Sequence, residues 1–222
     1  MGAELVIFDC DGVLVDSEVL VVAVEARLLT EAGFPITADE IVERFVGLSY
    51  GLMMEQLAAD FGRAVPDGLR QQVEEAALAE LATSVTPVPG MAELVGGLAD
   101  ADRARCVASS SDLDRIQLSL EVAGLAPSFA PEHLFSVQMV DRPKPAPDVF
   151  LLAADALGVE PSRCVVVEDS PHGVEGARAA GMAAVGLTAG GHAGPGLSRR
   201  LLDAGAQHVF TSTAELGDYL AA

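Results

Sequence analysis

The stretch Leu5–Glu18, LVIFDCDGVLVDSE, runs four apolar residues directly into two acidic residues, Asp9 and Asp11, with one residue between them. A short apolar run that ends in charge is typical of a buried β-strand that presents side chains to a ligand at its carboxyl end. We therefore predict a first strand over Leu5–Phe8 with a pair of carboxylates at its end.

The apolar pattern changes after this strand. From Ser17 to Ala82 apolar residues recur at helical spacing, with Thr37 as a helix N-cap, until SVTPVPG at residues 84–90 breaks the chain. Beyond it, short apolar runs alternate with helical ones, and CVVV at residues 164–167 is apolar throughout, as a strand buried on both faces should be. The alternation predicts an α/β fold: a doubly wound parallel-sheet (Rossmann-like) core of residues 1–15 and 88–222, with an inserted all-helical cap domain at 16–87.

Composition and charge narrow the class of protein. The chain has 222 residues, half of them apolar, and a formal net charge of -20. This charge argues against nucleic acid and anionic membranes as partners, and no apolar run is long enough to span a bilayer. The N-terminus lacks the pattern of a signal peptide. Three cysteines in apolar runs are interpreted as reduced core residues, so we expect a cytoplasmic protein.

Polar residues follow four of the predicted strands. Because the carboxyl ends of parallel strands meet at one edge of a sheet, these residues should converge. Any one of them alone could be a turn or a helix cap. Together they place carboxylates, hydroxyls and the only lysine of the chain at one site: Asp9, Asp11, Ser109, Ser110, Ser111, Lys144, Glu168, Asp169 and Ser170.

The chemistry of this group favours a hard cation and a phosphate. Clustered carboxylates repel one another unless a cation is present, and an all-oxygen ligand set is the preference of Mg²⁺. Lys144 and the hydroxyl and amide groups near Ser109 can bind a phosphate, which the acidic chain as a whole would repel. We therefore expect Mg²⁺-dependent phosphoryl transfer on a small phosphorylated metabolite.

Four motifs, DCDGVLVDSE, ASSSD, RPKPAPD and VVVEDSPHGVEGARAAGM, resemble in order those of the haloacid dehalogenase-like hydrolase superfamily. The similar subgroup carries a small helical cap after the first strand. The resemblance implies that Asp9 is the nucleophile that forms an aspartyl-phosphate and that Asp11 is the general acid and base. It further implies phosphate binding by Ser109, Ser110 and Lys144. The Mg²⁺ ligands it implies are Asp9, Asp169, the backbone carbonyl of Asp11 and Glu168, the last either directly or through water.

Within this superfamily the sequence favours a phosphatase. Dehalogenases lack a residue equivalent to Asp11, and the cap contains no lysine of the kind used by phosphonate-cleaving members. The alternative is a sugar-phosphate mutase similar to β-phosphoglucomutase, but Tyr50 stands where the mutase pattern has an arginine, and the direction of nearby Arg44 is open. A non-catalytic binding protein on the same scaffold should have lost a core motif residue, and none is missing.

The cap should select the substrate. Candidate cap residues facing the site are Glu18, Gly47, Leu48, Ser49 and Tyr50, although Leu48 could be core and Glu18 could simply begin a helix. A loop of this composition suits a sugar or polyol phosphate. His172 is expected to be exposed, and His192 to lie in a Gly-rich connection at the rim of the site. The resemblance implies a monomer.

Overall fold

A computed structural model describes residues 3–45 and 50–221 of the chain. Its six strands form one parallel sheet in the order β3-β2-β1-β4-β5-β6, which is the doubly wound arrangement expected from the sequence. The strands are β1 Leu5–Phe8, β2 Ala104–Ser109, β3 Leu134–Ser136, β4 Cys164–Glu168, β5 Ala183–Leu187 and β6 His208–Phe210.

Strand β1 lies at the centre of the sheet and is fully buried. Leu5 pairs with Ala104 of β2 on one side and with Cys164 of β4 on the other. Successive side chains point to opposite faces of a strand. Leu5 and Ile7 accordingly pack into one apolar cluster and Val6 and Phe8 into a second, on the other face. Both faces are covered, so the sequence of β1 can be apolar without alternation.

Six helices of the described chain cover the sheet: α5 Met91–Asp100, α6 Leu113–Val122, α7 Asp148–Ala156, α8 Pro171–Ala179, α9 Leu197–Asp203 and α10 Thr213–Ala221. Helices α5, α6, α7 and α8 alternate with the strands, as the pattern after residue 90 predicts. The last two, α9 and α10, were not anticipated, because α9 is short and follows a Gly-rich segment, and α10 stands at the end of the chain. The three cysteines are free and buried, as expected.

Along the chain, four helices come between β1 and β2 and before α5: α1 Ser17–Glu31, α2 Ala38–Phe45, α3 Tyr50–Phe61 and α4 Leu69–Ser84. They bury an apolar cluster of their own, which includes Leu29, Phe34 and Leu57. Thr37 caps α2 as predicted: its hydroxyl accepts from the backbone N–H of Glu40, and the Glu40 carboxylate accepts from the backbone N–H of Thr37.

The two segments that connect these helices to the sheet run side by side. The backbone N–H of Asp16 donates to the carbonyl of Thr86 at 2.9 Å, and the N–H of Val88 donates to the carbonyl of Leu14 at 3.0 Å. The division into a core of residues 1–15 and 88–222 and a cap of residues 16–87 stays a prediction, with which this pairing is compatible.

Candidate active site

The predicted core residues line one cavity of about 870 Å³ at the carboxyl edge of the sheet. Asp9 follows β1, Ser109 ends β2, and Asp169 follows β4, so the parallel register brings the three side chains to the same edge. The cavity is lined by the predicted residues Asp9, Asp11, Glu18, Ser109, Ser110, Lys144 and Asp169. Glu168 lies beneath them, 1% exposed.

Lys144 connects the carboxylates at the base of the cavity. Its Nζ donates to Oδ1 of Asp9 at 2.7 Å, to Oε1 of Glu168 at 2.6 Å and to the carbonyl of Ala108 at 2.9 Å. Burial alone would lower the pKa of this lysine, but Asp9 and Glu168 outweigh burial and raise the pKa above its ordinary value. Lys144 is therefore a fixed positive charge with all three of its donors engaged.

Asp9, Glu168 and Asp169 form an acidic cluster, with one carboxylate oxygen from each lying within 4.8 Å of the others. Burial raises the pKa of Asp9 well above its ordinary value, with Glu168 and Asp169 adding to the rise and Lys144 opposing it. One lysine thus leaves the buried carboxylates short of positive charge. The all-oxygen donor set fits a hard divalent cation such as Mg²⁺.

Two glycines allow the cluster to pack this closely. Gly12 has φ of +77°, and a Cβ there would lie 1.9 Å from Oδ2 of Asp169. A Cβ on Gly173, at the start of α8, would lie 1.9 Å from the carboxyl carbon of Glu168. Any side chain at either position would push a candidate metal ligand out of place.

The Asp11 carboxylate has different partners from Asp9. Its Oδ1 accepts from the hydroxyl of Ser17 at 2.5 Å and from Nη2 of Arg115 at 3.0 Å, and its Oδ2 accepts from the hydroxyl of Ser111 at 2.5 Å. Asp9 and Asp11 both lie beyond β1, which ends at Phe8. The alternation of side chains along a strand therefore does not set the directions of their two carboxylates. The side chain of Asp11 is not part of the acidic cluster; the predicted role of its backbone carbonyl as a metal ligand stays a prediction.

Among the other residues that line the cavity, Arg115 of α6, Arg200 of α9 and His192 were not predicted as site residues. His192 was placed at the rim of the site, yet it is 7% exposed and its Nε2 lies 2.8 Å from Oδ2 of Asp169. Burial lowers the pKa of His192, but the hydrogen bond with Asp169 outweighs it and the net pKa is raised. The only sequence signal was the position of its loop after β5, at the same edge of the sheet.

The cap predictions have mixed outcomes. Glu18 lines the cavity, and His172 is exposed as expected, although it too lines the cavity. Gly47, Leu48 and Ser49 lie outside the described residues. Tyr50 is the first residue of α3, and its role stays a prediction. Arg44 forms an ion pair with Asp60 and stacks on the ring of Phe45, so its charge is already engaged within the cap.

Residues 6–187 match the haloacid dehalogenase-like hydrolase family. Among curated relatives, hexitol phosphatase A of Escherichia coli (strain K12) is 32% identical over 193 residues, which cover 82% of each chain. The protein SUPPRESSOR OF QUENCHING 1, chloroplastic, of Arabidopsis thaliana is 34% identical over 186 residues. The match covers 82% of this chain but only 17% of that longer protein.

Solved structures share the fold over nearly the whole chain. A conserved haloacid dehalogenase-like protein from Agrobacterium tumefaciens is 41% identical with a TM-score of 0.90, and the match covers 99% of this chain and 98% of that one. A hydrolase of the same family from Deinococcus radiodurans, with bound phosphate and sodium, is 36% identical with a TM-score of 0.87, covering 97% and 93%.

Proposed function

The chain belongs to the haloacid dehalogenase-like hydrolase family, and we propose that it is a Mg²⁺-dependent phosphatase that hydrolyses a small sugar or polyol phosphate. The observation that carries the proposal is the position of Lys144 between Asp9 and Glu168 at the base of a strand-end cavity. The phosphate in the Deinococcus relative and the hexitol phosphatase among the curated relatives support it.

Asp9 is the proposed nucleophile. Lys144 holds its Oδ1, which leaves Oδ2 free to attack phosphorus. The attack forms an aspartyl-phosphate and breaks the bond between phosphorus and the leaving oxygen. A bound Mg²⁺, held by Asp9, Glu168, Asp169 and the carbonyl of Asp11, would neutralise the negative charge that otherwise repels a carboxylate from a phosphate.

Asp11 is the proposed general acid and base. Because Arg115 can only donate, a proton on Asp11 has to sit on Oδ2, where the hydroxyl of Ser111 can turn and accept from it. In the first step this proton passes to the leaving alkoxide. In the second, Asp11 takes a proton from the water that attacks the aspartyl-phosphate and releases phosphate.

The end of β2 is the proposed phosphate cradle. The hydroxyl oxygen of Ser109 accepts from the backbone N–H of Ser111 at 3.0 Å, so its own proton is available to a phosphate oxygen. Ser109 is buried and Ser110 is exposed toward the cavity, which makes the backbone of Ser110 a second candidate donor. Such preorganised donors stabilise charge without reorganisation during the reaction.

A mutase similar to β-phosphoglucomutase would need a cap cation for the second phosphate of a bisphosphate. Arg44, the nearby arginine whose direction the sequence left open, pairs with Asp60, which favours the phosphatase. Cytoplasmic location and a monomeric state stay predictions. Across the described chain, no helix combines the length and apolar character needed to cross a bilayer.

The test is release of inorganic phosphate from p-nitrophenyl phosphate and from sugar and polyol phosphates, with Mg²⁺ or with EDTA. We expect Mg²⁺-dependent turnover that Asp9→Asn abolishes while the protein stays folded by circular dichroism. Normal steady-state rates in Asp9→Asn would rule out the covalent step. Isomerisation of β-glucose 1-phosphate that depends on glucose 1,6-bisphosphate would establish the mutase instead.

A further inference from the structure

A second cavity, of about 360 Å³, is lined mainly by the cap helices and also by Arg115 and His192, beside the proposed active site. Its volume equals that of about twelve waters in the liquid, enough for the carbon skeleton of a small sugar or polyol. Glu18, Arg115 and His192 line this cap cavity and the active-site cavity alike, so the two adjoin. A phosphate ester held at Asp9 could therefore extend its alcohol portion past Glu18 into the cap.

Helices α1 and α4 each contribute one face to the lining of the cap cavity. Residues at positions i, i+3, i+4 and i+7 share one face of a helix. On α1 this face carries two acids and two apolar residues, Glu18, Val21, Val22 and Glu25; on α4 it carries Arg70, Val73, Glu74 and Ala77. Ile41, Phe45 and Met53 add apolar side chains, and Arg115 and His192 complete the lining. The acids of α1 are thus set in a largely apolar surrounding.

Glu25 is the unusual member of this lining. It is 9% exposed, yet within residues 3–45 and 50–221 its carboxyl group has no hydrogen-bond donor and no ion-pair partner. Burial, with a smaller contribution from Glu18, raises its pKa to about 7. A buried carboxyl group without a partner destabilises a fold, so its presence in a cavity wall calls for a ligand.

The charges around Glu25 indicate the kind of ligand. The basic groups that line the described part of the cap cavity have acidic partners: Arg115 pairs with Asp11, Arg70 with Glu74, and His192 with Asp169. Glu18 and Glu25 add negative charge without such pairing. A second phosphate or a carboxylate would be repelled here, whereas a hydroxyl or ammonium group would supply the missing donor.

We propose that Glu25 is a specificity-determining residue that accepts a hydrogen bond from a hydroxyl or ammonium group of the leaving alcohol, and that the cap cavity selects phosphomonoesters without a second acidic group. This inference rests on the proposed phosphatase function. It assigns Glu25 no part in the chemical steps, which belong to Asp9 and Asp11.

The test compares wild type, Glu25→Leu and Glu25→Gln on five esters with Mg²⁺. Sorbitol 6-phosphate and glucose 6-phosphate offer hydroxyls, glucosamine 6-phosphate adds an ammonium group, 6-phosphogluconate adds a carboxylate, and p-nitrophenyl phosphate offers no donor. Glu31→Gln is the matched control, because Glu31 lies on the same helix but is exposed and pairs with Arg27.

Loss of a hydrogen bond to a charged group lowers kcat/KM by about 10- to 100-fold. We expect Glu25→Leu to show this loss on whichever of sorbitol 6-phosphate, glucose 6-phosphate and glucosamine 6-phosphate the wild type hydrolyses best. Its kcat/KM on p-nitrophenyl phosphate should change less than about twofold. For the wild type, 6-phosphogluconate should be the poorest of the sugar esters. Glu25→Gln separates the two donors. It retains most activity if a hydroxyl binds, and it removes a preference for glucosamine 6-phosphate over glucose 6-phosphate if the ammonium group binds.

Three results would overturn the inference while leaving the proposed phosphatase function intact. Glu25→Leu could lose activity equally on all esters, or the wild type could prefer 6-phosphogluconate. The third is a wild type that hydrolyses p-nitrophenyl phosphate but none of the sugar and polyol esters. No turnover of any ester by the wild type would instead overturn the proposed function itself. Melting temperatures guard against misfolding: Glu25→Leu should be at least as stable as the wild type, since it removes an unpaired buried acid.

Discussion

Replacing Lys144 by methionine should destabilise the protein far more than any single exposed ion pair would. The lysine side chain is 4% exposed and lies within 2.7 Å of two buried carboxylates. Methionine is of similar length but leaves Asp9 and Glu168 without their cation. Removing one partner of a buried ion pair costs about 3–5 kcal/mol. In a chain of this size that corresponds to a fall in Tm of about 6–20 °C.

The matched control is Arg142→Met, two residues away. Arg142 lies 2.7 Å from Asp148, a distance like those of Lys144, but its side chain is 69% exposed. Solvent screens such a pair, so its loss should change Tm only slightly. The two variants differ chiefly in burial, which makes burial the tested variable.

Thermal unfolding followed by circular dichroism in EDTA measures both shifts. A repeat with excess Mg²⁺ should recover part of the Lys144→Met loss, because a cation bound to the acidic cluster replaces the missing charge and stabilises the folded state. Equal Tm shifts for Lys144→Met and Arg142→Met in EDTA would refute the argument that Lys144 holds the carboxylates together.

Three other outcomes are expected. Because the folded-state pKa of Glu25 is raised from 4.5 to about 7, this group should lower wild-type stability as pH rises through that window. Glu25→Gln should weaken the pH dependence of stability and gain about 1–2 kcal/mol at pH 8, after allowance for solvent screening; denaturant unfolding at pH 4 and pH 8 measures it. Gly173→Ala should cost about 1–3 kcal/mol by overpacking against Glu168, whereas Gly96→Ala, with open space around it, should be neutral or stabilising. Asp11→Asn should slow an alkyl phosphate far more than p-nitrophenyl phosphate, whose leaving group barely needs a proton; equal losses would count against the acid role.

The core of the fold was predictable because its signals are local. Strand β1 agrees residue for residue with the expected Leu5–Phe8. Thr37 was recognisable as a cap because its partner, Glu40, lies three residues away. The convergence of Asp9, Lys144 and Asp169 followed from one rule, that parallel strands end at the same edge.

The missed site residues depend on contacts between distant parts of the chain. Arg115 reaches Asp11 across 104 positions, and nothing in the neighbouring sequence distinguishes it from an ordinary helix surface arginine. His192 was assigned to a Gly-rich connection at the rim of the site, yet the backbone N–H of Gly191 donates to Asp16 at 2.9 Å and fixes the loop against the start of the cap. These positions depend on tertiary packing, which the residue pattern within a single segment does not reveal.

The paired connecting segments have a further consequence. Since Val15 and Pro87 lie opposite each other as neighbours in an antiparallel bridge, the chain leaves the sheet and re-enters it at nearly one point. An insertion with adjacent ends can be exchanged for another of different length without moving any strand. The four helices can therefore differ in length or number between related chains while the six strands keep their places.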